Sequence, residues 1–147
     1  MKKGFTIIEL VIVISVLIIL IGIAIPRMKS MQQSGNIVKV RGELQALQAA
    51  MESYYNNAAT PHAYFPTTAT PCKSYFVNAT PQIITSPLYD PFASGSTTEY
   101  VATVSSNGLW YAFASVGTGK SVATTITPTG MVTQNPGNIC VSNGIGC

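Results

Sequence analysis

Apolar and polar positions fall into three distinct patterns along this chain of 147 residues. From Phe5 to Ile25 the text reads FTIIELVIVISVLIILIGIAI, almost wholly Ile, Val and Leu, with Glu9 the single charge. About 20 apolar residues suffice to cross the hydrocarbon of a bilayer as a helix, and this run supplies them. About fifteen aliphatic side chains at about −0.4 kcal/mol each favour insertion by about 6 kcal/mol. One acid costs about 3 kcal/mol at the centre and less near an end, so the segment inserts despite Glu9. Beyond Pro26 the period changes. Ile37, Val40, Leu44, Leu47, Met51 and Tyr54 recur at alternating steps of three and four, with Glu43, Gln45, Gln48 and Glu52 between them. That is one face of an amphipathic helix. The pattern predicts a single helix from Phe5 to about Asn57, roughly 80 Å long at 1.5 Å per residue. Gly22 and Pro26 are its weak points, as a membrane-exit kink or as a segment able to extend during assembly.

The third pattern is that of short strands and turns. NNAATPHAYFPTTATPCKS, from Asn56 to Ser74, is polar and Pro-rich and reads as a loop. TEYVATV (Thr98 to Val104) and LWYAFASV (Leu109 to Val116) read as strands, and the Asn107-Gly108 pair between them is a hairpin signal. SVATTIT (Ser121 to Thr127) and MVTQ (Met131 to Gln134) follow as further strand candidates. The economical fold is α+β: a long N-terminal helix, its first half transmembrane, whose second half packs on a small antiparallel β-meander head of three or four strands.

Charge sharpens this picture. Only 9% of residues are charged, against about 25% in an average soluble domain. Lys2, Lys3, Arg27, Lys29, Lys39 and Arg41 are six of the 8 basic residues, and beyond Glu52 only Lys73, Asp90, Glu99 and Lys120 are charged. The head therefore lacks the basic patch of a nucleic-acid binder. Lys2 and Lys3 predict a cytoplasmic N-terminus, a signal that Arg27 and Lys29 beyond the span weaken. The apolar run is too long for a cleaved secretory signal, and GIAIPR has no small-x-small site. Read from the residues alone, it is a permanent single-span anchor.

Catalytic chemistry finds no carriers. His62 is the only histidine, and no G-x-S-x-G or clustered carboxylates accompany it. ASVGTGKS (Ala114 to Ser121) falls short of a phosphate-binding loop: Ala114 occupies the first glycine position, and a strand rather than a helix follows. Asn78-Ala79-Thr80 is a formal glycosylation sequon of the kind that arises by chance. No cofactor is called for. Cys72, Cys140 and Cys147 all follow the span and so belong to an oxidising compartment. Cys140 and Cys147 bracket VSNGIG, a loop flexible enough to close; Cys72 bonded to either of them is the competing arrangement.

KKGFTIIELVIVISVLIILIGIAIP resembles the class III signal of type IV pilins and type II secretion pseudopilins: a short basic leader, Gly4, aromatic Phe5, Glu9 four residues on, then an apolar helix. The resemblance covers about the first 30 residues. It implies a pilin-like fold, cleavage by a prepilin peptidase after Gly4, N-methylation of Phe5, and Pro26 at the helix-distorting position. It divides the chain into a leader (1–4), a transmembrane and filament-core helix (5–26), the amphipathic half of the helix (27–57) and a β-rich head with its C-terminal loop (58–147). Glu9 then gains a purpose. Cleavage leaves a free ammonium on Phe5 in an apolar setting, and an opposite charge offsets much of its cost. Glu9 meets that amine on its own helix or, as the resemblance implies, on a neighbouring subunit. The resemblance also implies the Cys140–Cys147 pairing. A second similarity, in SPLYDPFASGS and NGLWYAFASVGTGK, is to pseudopilin heads, where a nearby loop binds calcium; Asp90 is the weak candidate ligand here, with Glu99 the only other acid of the head. A cation of that type takes six to eight oxygens, so Asp90 reads first as the turn residue before Pro91.

The function these resemblances imply is that of a structural, non-enzymatic subunit polymerising with its own kind into a helical type IV pilus. The alternatives are a pseudopilin of a type II secretion system and a single-span binding module. The implied partners are further copies of the chain, the prepilin peptidase, an inner-membrane assembly platform and, before assembly, membrane lipid. The implied location is the bacterial inner membrane with the head outside the cytoplasm, then a periplasmic or cell-surface filament.

Overall fold

A computed structural model of the chain describes Gly4 and residues 6–57, 72–119 and 121–147, with the backbone alone for residues 72–74. One helix, α1, runs from Ile7 to Asn57, 51 residues, with Pro26 inside it. Among the described residues a single π-helical turn, Cys72–Val77, and five strands follow: β1 (Val101–Val104), β2 (Tyr111–Ser115), β3 (Thr124–Ile126), β4 (Val132–Gln134) and β5 (Ile139–Ser142). The fold is therefore α+β, a long apolar N-terminal helix with a small antiparallel sheet, consistent with a pilin-like arrangement. The chain divides into two compact units, Met1–Gly35 and Asn36–Cys147, whose boundary falls within α1.

From Ile7 onward the first unit is helix. Every described residue in it is exposed, from Ile7 at 84% through Leu20 at 58% to Met31 at 74%. Its 18-residue apolar window has a mean hydropathy of 3.2, long and apolar enough to cross a membrane. Ser15, one of its few polar side chains, donates its hydroxyl to the carbonyl of Val11 at 2.7 Å, which satisfies it without water.

In the second unit the three-and-four spacing is put to use. Val40, Leu44, Leu47 and Met51 are fully buried, and Ala50 nearly so. They pack against Phe76, Tyr100, Ala102, Tyr111 and Phe113 in one core cluster. Within the main sheet the order is β1-β2-β5, all antiparallel. Alternation along β2 sends Tyr111, Phe113 and Ser115 to one face and Ala112 and Ala114 to the other. All five are buried because the large residues face α1 while the alanines leave room for β3 behind the sheet. There Thr103 donates its hydroxyl to the carbonyl of Thr124 at 3.1 Å.

One detail differs from the expected meander. β3 and β4 pair with each other as a separate two-stranded ribbon, and β5, absent from the sequence reading, takes the edge beside β2. Ile139 and Val141 of β5 point to the α1 side and join the core. Register pairs Ser115 with Ile139, Ala114 with Cys140 and Phe113 with Val141. The edge of β2 thus goes to the strand that brings further aliphatic surface to the helix. A close approach ties the ribbon's far end to the sheet. Gly117 has φ +58°, its notional Cβ would collide with the carbonyl oxygen of Gly137, and Thr118 N–H donates to that same oxygen at 3.0 Å.

Candidate functional site

The residues of functional interest fall into an N-terminal group on the first unit and a clamp within the second. At the N-terminus Gly4 is exposed, and α1 begins just after Thr6. Thr6 is the cap. Its hydroxyl oxygen accepts the backbone N–H of Glu9 at 3.3 Å, and its O–H donates to the Glu9 carboxylate at 3.5 Å. Thr-x-x-Glu before an apolar run is a capping-box pattern, legible in the sequence though not used in the reading above. Glu9 therefore stands at the third helical position, exposed, where the carboxylate also complements the positive end of the helix dipole. Phe5, the residue with which its charge was to pair, lies outside the described residues, as do Lys2 and Lys3. Pro26 is accommodated inside α1 and exposed.

In the second unit Asp90 is the centre of a network that sequence reasoning did not foresee. It is only 4% exposed, and its carboxylate accepts three hydrogen bonds. Oδ1 takes the N–H of Phe92 at 2.9 Å and the hydroxyl of Ser115 at 2.8 Å; Oδ2 takes the N–H of Val116 at 2.8 Å. Ser115 Oγ in turn accepts from Gly117 N–H at 3.0 Å. The Asp90–Phe92 turn is thereby fastened to the end of β2. Three donors on two oxygens make Asp90 a structural clamp. Glu99 is also buried, and the backbone of the same segment is held by an isolated bridge between Tyr89 and Glu99. Among the described residues no group of three or more His, Cys, Asp or Glu converges.

No protein-family model, curated protein or solved structure matches this chain.

The structure joins Cys140 to Cys147 with a Cα–Cα separation of 5.3 Å, well inside the range a disulfide spans. The ring it closes ties the end of the chain to β5. Cys72 begins the π-helical turn, and its side chain lies outside the described residues, as do His62 and Lys120. Asn78 is exposed.

Two further contacts escaped the sequence reading. Buried Tyr100 donates its hydroxyl to Glu43, and buried Tyr111 donates its own to Glu52 at 2.8 Å. Both acceptors lie on α1 and both donors on the sheet side of the core, nine helical positions apart. A tyrosine whose ring fills the core while its oxygen reaches a carboxylate at the margin fixes the helix against the sheet in rotation and in register. The signal was the pairing of Glu43 and Glu52 beside the apolar stripe, but the tyrosines that answer them are about 60 residues away.

Proposed function

We propose that the chain is a structural, non-enzymatic subunit, cut by a prepilin peptidase between Gly4 and Phe5 and N-methylated at Phe5, that polymerises into a helical type IV pilus. The observation that carries this reading is the exposure of the whole apolar half of α1. Some fifteen aliphatic side chains project from a lone helix with nothing of its own unit over them. Two environments remove such a surface from water: a bilayer, and a bundle of like helices. A subunit that waits in the inner membrane and is then built into a filament core uses both in turn. The heads form the outer surface of that filament.

Glu9 supports the reading through its position. Exposed in the first turn, its carboxylate is placed to receive the ammonium that processing creates, on its own Phe5 or on a neighbour's. The neighbour's amine would also set axial register, because only a correctly docked subunit cancels both charges. Glu9→Gln should keep membrane insertion and lose filaments; filaments of normal yield from the variant would remove Glu9 from assembly.

One observation favours the secretion pseudopilus as the second reading. The two segments that resemble pseudopilin heads, around Asp90-Pro91-Phe92 and Ser115-Val116-Gly117, are in direct contact through the Asp90 clamp. The third reading, a single-span binding module, differs from both at the N-terminus. Intact-mass and peptide mass spectrometry of the protein from its membrane decides between them. A chain beginning at an N-methylated Phe5 supports a filament subunit, and a chain retaining Met1 overturns that reading.

A further inference from the structure

We propose that Arg27 and Lys29 form a phosphate-binding collar that engages anionic phospholipid at the far side of the span and holds the helix at a fixed depth. The inference rests on residues 7–25 lying in the membrane; it does not require that filaments form. Ile7 to Ile25 rises about 28 Å as helix, close to the roughly 30 Å of bilayer hydrocarbon. Arg27 and Lys29 then lie about 3 and 6 Å beyond Ile25. The headgroup layer on each side is about 5 to 7 Å thick, so both cations fall within it.

Charge completes the argument. The only acid of the first unit is Glu9, 18 positions before Arg27 at the opposite end of the span. Lys39, by contrast, pairs with Glu43 at 3.7 Å within the second unit. Arg27 and Lys29 are both exposed, and two positions of helix separate them by about 200°, so they face opposite sides of a helix that lipid surrounds. Such a pair engages headgroups on both flanks and resists movement of the span in either direction. Met28, 59% exposed, adds apolar surface at the same level. The arginine fork suits a phosphate in two-point contact, while lysine adds a point charge. Anionic surface favours each such cation by about fivefold in the local equilibrium.

The test is native mass spectrometry of the full chain in nanodiscs containing equal phosphatidylcholine and phosphatidylglycerol. A Lys2→Gln/Lys3→Gln background removes the cations at the other end. Phosphatidylglycerol should be retained several-fold over phosphatidylcholine, and 0.5 M NaCl before analysis should abolish the preference. Arg27→Gln/Lys29→Gln should lose it, and Lys39→Gln/Arg41→Gln should keep it. Equal retention of the two lipids, or a preference unchanged in Arg27→Gln/Lys29→Gln, overturns the proposal. Carbonate extraction of the same proteins from membranes reads the underlying premise separately: a soluble chain refutes the span itself, whereas an inserted chain without lipid preference refutes only the collar.

Discussion

Replacing Asp90 by Asn changes one atom's chemistry and almost no volume, so its effect isolates the clamp. In the native head three donors meet the carboxylate, two on Oδ1 and one on Oδ2. An asparagine keeps one acceptor oxygen. Oriented toward Phe92 and Ser115, it turns its NH2 on the N–H of Val116, donor against donor. Turned the other way, it loses the other two. A hydrogen bond to a charged group contributes about 1.5–3 kcal/mol, and a buried donor left without an acceptor adds about 1–3 kcal/mol to the cost. One bond lost and two weakened give about 3 kcal/mol in total, since part of the donor penalty is relieved by small shifts. For the 112 residues of the second unit, an unfolding entropy near 2.1 cal/mol/K per residue turns this into a fall in Tm of about 13 °C. Trp110, the one tryptophan, lies in that unit and reports its unfolding by fluorescence in detergent-solubilised full-length protein. A fall of less than about 4 °C would refute the clamp. The same melt with 5 mM CaCl2 tests the competing role. With three of its roughly four lone-pair positions taken by protein donors and no other carboxylate converging on it among the described residues, native Asp90 should give no calcium shift. A cation at 100 times its Kd would raise stability by about 2.7 kcal/mol; a comparable rise, absent in Asp90→Asn, would make Asp90 a metal ligand.

Three further outcomes are expected. Cys140→Ser opens a ring of sequence separation 7, which in the chain-entropy picture costs about 2.5 kcal/mol; reducing agent should lower the Tm of the native protein equally and leave the variant unchanged. Tyr111→Phe keeps the ring in the core and removes the bond to Glu52, for a loss of about 1–2 kcal/mol; a double-mutant cycle with Glu52→Ala should show a coupling above about 0.5 kcal/mol, and additivity would deny the contact. Gly117→Ala meets both a left-handed backbone and the carbonyl of Gly137, so it should destabilise by at least about 2 kcal/mol, whereas Gly42→Ala, on an open helix surface, should be neutral or stabilising by urea unfolding.

Local periodicity carries no information about which distant segments meet, and the division between what was and was not legible here follows that line. The apolar run, the stripe from Val40 to Met51 and the Asn107-Gly108 hairpin are each written within a few turns or residues, and each is present in the structure. The Thr6–Glu9 cap is equally local and was available to any reader of the pattern. β5 was not, because Ile139 to Ser142 is four residues without a usable period, and its place beside β2 is decided by the aliphatic surface it adds to the α1 side of the core. The ribbon of β3 and β4 lies behind the sheet because Ala112 and Ala114 are small enough to admit it, a fact about packing between elements. Asp90 gave the clearest case. A lone acid before a proline reads as a turn, and the turn is there. Only the approach of Ser115 and Val116, 25 and 26 residues later, makes it a buried clamp. Sequence alone determined the long helix, its apolar stripe, four of the five strands and the asymmetry between an apolar helix and a charge-poor head, because all depend on neighbours in the chain. Tertiary structure decided the strand order, the clamp and the tyrosine–glutamate contacts, because burial and hydrogen bonding are settled between groups that only folding brings within reach.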